Sequence, residues 1–450
     1  MLYYPNILAS IGNTPIVELT HFDTGKCRLF IKLENQNPGG SIKDRIGVSM
    51  IADAEKRGVL QAGGTIIEAT AGNTGIGLAL VAKMKGYKMV LVIPDKMSQE
   101  KINHLKALGT EIIITRSDVG KGDPAYYQDL AKSIADEKGY YFINQFENPA
   151  NPLAHETTTG PEIWKQMEGK VDAVVVGVGS SGTITGLSRY FAKVSPSTEM
   201  VLADPVGSIL AEYINMGVLS KEAGSWLVEG IGEDFIPSIA DFSRTKKAYS
   251  VSDKESFEAV RHLLQKEGIM GGSSTGTLLS AALRYCKEQD QPKNVVTFVC
   301  DTGNKYLSKM YNDFWLMDKG LRVRKKYGDL RDVIARRMEE GEVEFVKKED
   351  TIAMAYAKIK LHHISQLPVL EGKELIGIID ETDILLAKNM QSPVEKVMAK
   401  NLVKVKPNAE LITLVDILKN GMVVIVEDEQ GHFCGMITKT DLIPHLPHGN

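Results

Sequence analysis

Between Pro5 and about Val299, short apolar runs (LFIKLE, GTIIEAT, KMVLVIP, EIIITR, AVVVGVG, MVLADP and NVVTFVC) alternate with stretches of helical periodicity punctuated by Gly and Pro. That alternation constrains the fold more than any other feature. Strands joined by helices cannot pair as tight hairpins, so they form a mainly parallel sheet with helices on both faces, an α/β architecture. From Asp318 to Arg337 the text turns basic and polar, DKGLRVRKKYGDLRDVIARR. We expect a first region over 1–318 and a solvated linker over 319–337, since blocks of like charge are commonly solvated. Beyond it the chain repeats itself. KELIGIIDETDILL is echoed by HFCGMITKTDLIPH, and VEFVKKEDTIAMAYAKI by LVKVKPNAELITLVDIL. Two copies of one strand, helix, strand, strand, helix unit are expected over 338–390 and 391–450, each marginal alone and stable as a pair.

Composition excludes several classes. In 450 residues, 53 Lys+Arg nearly balance 57 Asp+Glu for a formal charge of -4, so no whole-protein field favours nucleic acid or an anionic membrane. The cysteines Cys27, Cys286, Cys300 and Cys434 are widely separated, without CxxC pairs, which argues against a disulfide scaffold, a structural zinc site and a dithiol redox motif. No metal site is expected. The opening MLYYPNILASIGNTP lacks a basic segment followed by an apolar one, and apolar runs are too short to span a bilayer. We expect a soluble, cytoplasmic protein.

Four constellations carry chemistry. In KLENQNPGGSIKDRIG, Pro38, Gly39 and Gly40 force a turn and Ser41 can cap a helix that carries Lys43 in its first turn. A lysine there sits near the positive end of a helix dipole and is readily tuned down for carbonyl chemistry; alone, it reads more readily as a surface lysine beyond a turn. TIIEATAGNTGIGLALVA is strand, tight turn, helix, with Thr70, Ala71, Gly72, Asn73 and Thr74 offering N–H groups to a carboxylate or simply closing a loop. DAVVVGVGSSGTITGL holds a literal GxGxxG from Gly177 to Gly182. One reading is a dinucleotide fingerprint with Asp204 as its acid; the other is a phosphate cup of Gly179, Ser180, Ser181, Gly182 and Thr183. The motif falls after several βα units rather than at the first, which favours the cup. Finally, EGIMGGSSTGTLLSAA places Ser274 behind a glycine pair, where a hydroxyl often only caps a helix.

Taken in this order, NPGGSIKDR, AGNTG, GVGSSGT and GGSSTG resemble the β-family (fold type II) of pyridoxal-phosphate enzymes, over about Pro5 to Trp315. LADPVGSILAEY and LVEGIGEDFIP are similar to the cystathionine β-synthase branch rather than the cysteine synthases, and FENPANPLAHETTTGPEIW to both. The C-terminal duplication with GMITKTD resembles the paired regulatory CBS domains of that branch. The resemblance implies a catalytic region of two α/β subdomains followed by a tandem CBS module.

It also implies roles. Lys43 holds pyridoxal phosphate and serves as general base; the Gly179–Thr183 cup binds the phosphate; Asn73 bonds the ring's 3-oxygen and Ser274 faces the pyridine nitrogen. Thr70, Ala71, Gly72 and Thr74, with Gln145, grip the amino-acid carboxylate, and Gly230, Gly232 and Glu233 in EGIGEDF border the thiol's site. The implied reaction is β-replacement of serine or O-acetylserine by homocysteine to give cystathionine, with sulfide-producing side reactions. The alternatives are a cysteine synthase using sulfide, a non-catalytic adenosyl sensor and an NAD-dependent oxidoreductase.

Departures from the family pattern carry their own expectations. EATAGNTG stands where relatives commonly read EPTSGNTG, so Ala71 brings no hydroxyl. Phe146 and Glu233 stand where animal relatives have tyrosines, and Glu233 is a candidate for the homocysteine amino group or an exposed loop carboxylate. Little precedes Pro5, and the animal CxxC is absent; no haem is expected. In the CBS pair, Thr438 and Asp441 fit a ribose-holding pattern, while GIIDETD puts Asp380 where the hydroxyl belongs. The pair either binds an adenosyl ligand, by family expectation S-adenosylmethionine, or only joins subunits. A homodimer or higher homo-oligomer is the default.

Overall fold

Each of the seven apolar runs is a strand, and three shorter or more polar segments add to them. In chain order these are β1 (Ile16–Glu18), β2 (Arg28–Leu33), β3 (Thr65–Ala69), β4 (Lys88–Pro94), β5 (Glu111–Thr115), β6 (Tyr141–Phe142), β7 (Ala173–Gly177), β8 (Glu199–Pro205), β9 (Thr245–Val251) and β10 (Asn294–Val299). These elements come from a computed structural model, which describes residues 3–445 apart from 71, 96–98, 121, 220, 221, 342, 420 and 422. The chain divides into two units, 1–322 and 323–450.

Two sheets build the first unit. The larger has the order β1-β2-β10-β7-β8-β9 and is parallel except for β1 against β2; the smaller, β5-β4-β3-β6, is wholly parallel. Burial on both faces follows from the pleat. Along β4, Met89, Leu91 and Ile93 pack with Ile46 and Met50 of the helix Lys43–Lys56 and Ile76 of the helix Asn73–Lys85, while Val90 and Val92 pack with Ala131 and Ala135 of the helix Tyr127–Lys138. Period-two alternation with both phases apolar is what a doubly covered strand requires. The larger sheet is buried likewise through Leu29, Ile31, Val174, Val175, Val296 and Phe298. The turns that follow the carboxyl ends of β3 and β7 carry the AGNTG and GVGSSGT motifs, the position where open α/β sheets bind ligands.

The second unit is built from the repeat. Helix Ile352–His362, strands Gln366–Glu371 and Glu374–Asp380 and helix Glu381–Leu385 form the first copy; strand Val403–Val405, helix Leu411–Lys419, strands Val424–Glu427 and Phe433–Ile437 and helix Lys439–Leu442 form the second. The solvated linker expected over 319–337 is a point of correction. From Val323 onward the segment belongs to the second unit. Its sparse apolar residues Leu330, Val333 and Ile334 are buried against Leu414, Val424 and Ile437 of the second copy. Its basic residues are internally paired: Arg337, 3% exposed, bonds Asp332 at 2.8 Å and donates to the Arg331 carbonyl at 2.6 Å, and Arg324 grips Glu340 at 2.7 Å. Charge density hid a core contribution carried by three side chains.

Candidate active site

A cavity of about 800 Å³ opens between the carboxyl ends of the two sheets of the first unit, and four of the sequence constellations meet there. Lys43 is the first residue of its helix, and the PGG turn before it is fixed from both sides. The Gly39 N–H donates to Asp44 Oδ2 at 2.5 Å, Gly40 takes φ +75°, and the Lys43 N–H donates to Ser41 Oγ at 3.2 Å. Burial pulls the Lys43 ammonium below its ordinary range, while Cys300, Asp301 and Glu233 oppose that shift. An amine so placed gives up its proton more readily than an exposed lysine does.

Asn73 opens the helix after β3 with its amide fully oriented. Its Nδ2 donates to Asp301 Oδ2 at 2.7 Å, and its Oδ1 accepts Lys305 Nζ at 2.8 Å. With the carbonyl committed to a cation, only the second N–H of the amide remains for a ligand. Thr70 Oγ1 accepts the Gly72 N–H at 3.2 Å, and Thr74 Oγ1 donates to Gln145 Oε1 at 2.7 Å, while the Gln145 side chain also hydrogen-bonds the Glu68 carboxyl. Ala71 lies outside the described residues. Beneath Gln145 sits the buried Glu68, pushed up to about 8 by burial against backbone hydrogen bonds from Gln145, Asn144 and Ala69.

The GVGSSGT turn leaves β7 and enters the helix Gly182–Val194. A Cβ on Gly179 would lie 2.7 Å from the Gly230 carbonyl, and one on Gly182 1.9 Å from Asn151 Oδ1, so both positions exclude a side chain. Ser181 adopts φ +66°, and its buried Oγ has no hydrogen-bond partner among the described residues. Ser180 Oγ accepts from Asn151, and Thr183 Oγ1 lies 3.3 Å from His155 Nε2. This is a cradle of N–H groups at a helix N-terminus with an unpartnered buried hydroxyl, the donor set a phosphate needs. Asp204 is not presented to the cavity as a dinucleotide reading would require. It is buried at the end of β8 and its Oδ2 accepts the Ala211 N–H at 2.8 Å.

Ser274 lies in the first turn of the helix Ser273–Lys287, whose cap is Gly272, so its hydroxyl is not spent on capping. It shares a hydrogen bond with the Cys300 thiol, which burial pushes up to about 12. Both groups are neutral. Gly230 and Gly232 take φ +85° and +90° and bend the loop over the cavity, and the Gly232 N–H donates to the Val178 carbonyl at 2.8 Å. Glu233 lines the cavity and is pushed up to about 8, chiefly by burial, then by Asp234 and Asp204, with Lys43 opposing. Exposed loop carboxylates are not perturbed in this way.

Several residues escaped the sequence reading. Asp301 and Lys305, which hold Asn73, come from CDTGNKY after β10, where a strand followed by a Gly turn was the available signal. Glu229, bonded by Lys309 at 2.7 Å and paired with the buried Lys101, closes the far wall. The regulatory candidates are brought together: Thr438 Oγ1 donates to Asp441 Oδ2 at 2.7 Å as a capping box at the helix Lys439–Leu442, and Asp380 and Asp383 form the corresponding box in the first copy. Among the described residues, no group of three His, Cys, Asp or Glu side chains is placed to hold a metal, and no helix is long and apolar enough to cross a membrane.

The family model "Pyridoxal-phosphate dependent enzyme" matches residues 7–301. The chain belongs to that family. The CBS domain model matches 330–389 and 394–448. Cystathionine beta-synthase of Apis mellifera is 37% identical over 98% of this chain and 90% of its own length. Cysteine synthase of Staphylococcus aureus is 42% identical over 67% of this chain and 95% of its own. A solved O-acetylserine dependent cystathionine beta-synthase from Helicobacter pylori is 36% identical with a TM-score of 0.63, covering 69% of this chain and 99% of that one. Pyridoxal phosphate fits the pyridoxal-phosphate dependent site on structural grounds: a buried amine, a cradle with the unpartnered Ser181 hydroxyl, an oriented Asn73 amide and a neutral Ser274.

Proposed function

We propose that this protein is a cystathionine β-synthase that joins serine or O-acetylserine to homocysteine by β-replacement. The observation that carries the reading is the convergence of Lys43 and Glu233 on one cavity wall beside the Gly179–Thr183 cup. The bound cofactor supplies an electron sink for the substrate's Cα. Lys43 would hold the cofactor, and its Nζ would accept the Cα proton, a role its lowered pKa favours. The N–H groups that open the helix Asn73–Lys85, together with the Gln145 side chain, would bind the substrate carboxylate. Ser274, neutral and hydrogen-bonded to a neutral thiol, adds no proton at the pyridine nitrogen and so favours elimination over transamination. Glu233, with Gly230 and Gly232 shaping its loop, receives the acceptor's ammonium, and a cation there returns its carboxyl to the ionised form.

A cysteine synthase reading shares every group except Glu233, because sulfide has no ammonium to bind. The test is product analysis with each donor and either homocysteine or sulfide, repeated in Glu233→Gln. We expect cystathionine from the wild type, and in the variant a rise in KM for homocysteine of roughly tenfold with sulfide kinetics unchanged. Cysteine as the only product, or equal effects on both acceptors, overturns the reading.

The same proposal includes a cytoplasmic homodimer without haem, and an adenosyl ligand whose ribose is taken by Thr438 and Asp441 after their mutual hydrogen bond opens.

A further inference from the structure

The Gly179–Thr183 cup has a second layer beneath it, centred on Asn151. This residue lies in the short helix Ala150–Ala154, 1% exposed, and is held there by Asn148, whose carbonyl accepts the Asn151 N–H at 3.0 Å. Both hydrogens of its amide are committed. Nδ2 donates to the Gln145 carbonyl at 2.8 Å and to Ser180 Oγ at 2.9 Å. On its other side, Oδ1 fills the space a Cβ on Gly182 would take, 1.9 Å away. One side chain therefore touches the backbone of the residue that grips the substrate carboxylate and two residues of the cup.

The chemistry of that contact is specific. An amide N–H can only donate, so at Ser180 the hydroxyl oxygen acts as acceptor and its own proton must go elsewhere. With that bond made, the hydroxyl proton is free for a group in the cavity that Ser180 lines. We propose that Asn151 is a positioning residue that fixes the Ser180 hydroxyl as a donor to the cofactor phosphate and ties the cup to the Gln145 segment. It touches neither substrate nor cofactor and works only through Ser180 and Gln145. The proposal rests on the assignment of the cup to the cofactor phosphate.

The experiment is a double-mutant cycle on the full-length chain, reading the pyridoxal phosphate dissociation constant by equilibrium dialysis and the phosphate environment by phosphorus NMR of the loaded protein. Ser180→Ala should weaken binding roughly tenfold and Asn151→Ala by a similar factor, as loss of a hydrogen bond to a charged group implies. Combined, they should bind no more than about threefold weaker than Ser180→Ala alone, because the second change then has no hydroxyl left to misdirect. A roughly hundredfold loss in the double variant, the product of the single effects, would mean that Asn151 acts by packing and would overturn the proposal. Should Asn151→Ala fail to fold, the isosteric Asn151→Asp replaces it: the phosphorus resonance must shift in that variant and stay put when Asp is introduced into Ser180→Ala, and a shift in both backgrounds refutes coupling through the hydroxyl. If Ser180→Ala leaves the dissociation constant unchanged, the cup assignment itself falls, an outcome distinct from additivity.

Discussion

Two residues beyond Lys43, the same helix carries Arg45, and its removal makes a sharp test of how the turn before Lys43 is anchored. Arg45 is 4% exposed. Its guanidinium bonds Glu34 at 2.7 and 2.8 Å and Glu162 at 2.8 and 2.7 Å, and Lys32, fully buried, reaches Glu162 at 3.0 Å. Two cations and two carboxylates cancel inside the protein; Arg45→Met leaves one negative charge over. Glu34 has no water to turn to, although Thr14 donates to it at 2.6 Å and Asn37 at 2.9 Å. Breaking a buried pair from one side costs about 3–5 kcal/mol, which for a unit of this size lowers its Tm by about 4–7 °C. Burial alone pushes the Glu34 carboxyl up, but Arg45 outweighs it and holds the group below its ordinary range. A depressed carboxyl contributes stability that is present above its unfolded pKa and lost as pH falls through the folded one. In Arg45→Met that contribution is gone and burial favours the protonated acid, so the deficit should narrow between pH 7 and pH 5. Calorimetry of the full chain across that range is the assay, with Arg45→Met/Glu34→Gln expected to recover half the loss or more. A Tm drop under about 2 °C, or a deficit independent of pH, would refute the reasoning.

Two further outcomes are expected. Lys43→Ala should lower kcat by a factor of about 10²–10⁴ or more and remove the yellow colour of the loaded protein, with the melting profile little changed; full turnover in that variant would sink the assignment of the base. Glu68, held up to about 8, makes folding less favourable as pH rises from its unfolded value toward 8, because a raised pKa contributes stability only at low pH. The full effect is on the order of 5 kcal/mol, so Glu68→Gln should flatten the fall in Tm between pH 6 and pH 9, and parallel curves for the two proteins would rule the buried acid out.

The strands that were legible in the sequence are the ones whose burial is symmetric. The runs forming β2, β3, β4, β5, β7, β8 and β10 are almost continuously apolar, and for most of them that follows from helices covering both faces. The edge strand β9 reads TKKAYSV, with Lys246 and Lys247 exposed, and β6 is only Tyr141–Phe142; neither has a pattern separable from a loop, and only the neighbouring strand supplies their pairing. The same division governs the site. Lys43, Asn73, the 179–183 turn and Ser274 sit at strand-to-helix or turn-to-helix junctions, where local geometry demands Gly, Ser and Asn and so writes itself into the text. Asp301 and Lys305 have only the strand and Gly turn of CDTGNKY to mark them, and Asn151 has no local signature, because what they do is hydrogen-bond a residue distant in the chain: 228 positions from Asp301 to Asn73, 232 from Lys305 to Asn73 and 29 from Asn151 to Ser180. Partners of that kind are specified by the register of the sheets. β10 lies beside β2, which leads into the PGG turn, so the loop after β10 must arrive against the loop after β2, as the bridge between Ser41 and Asp301 records. The groups proposed to touch the ligand were therefore readable one motif at a time, whereas the groups that hold them became visible only once the parallel pairing had fixed which strand ends meet.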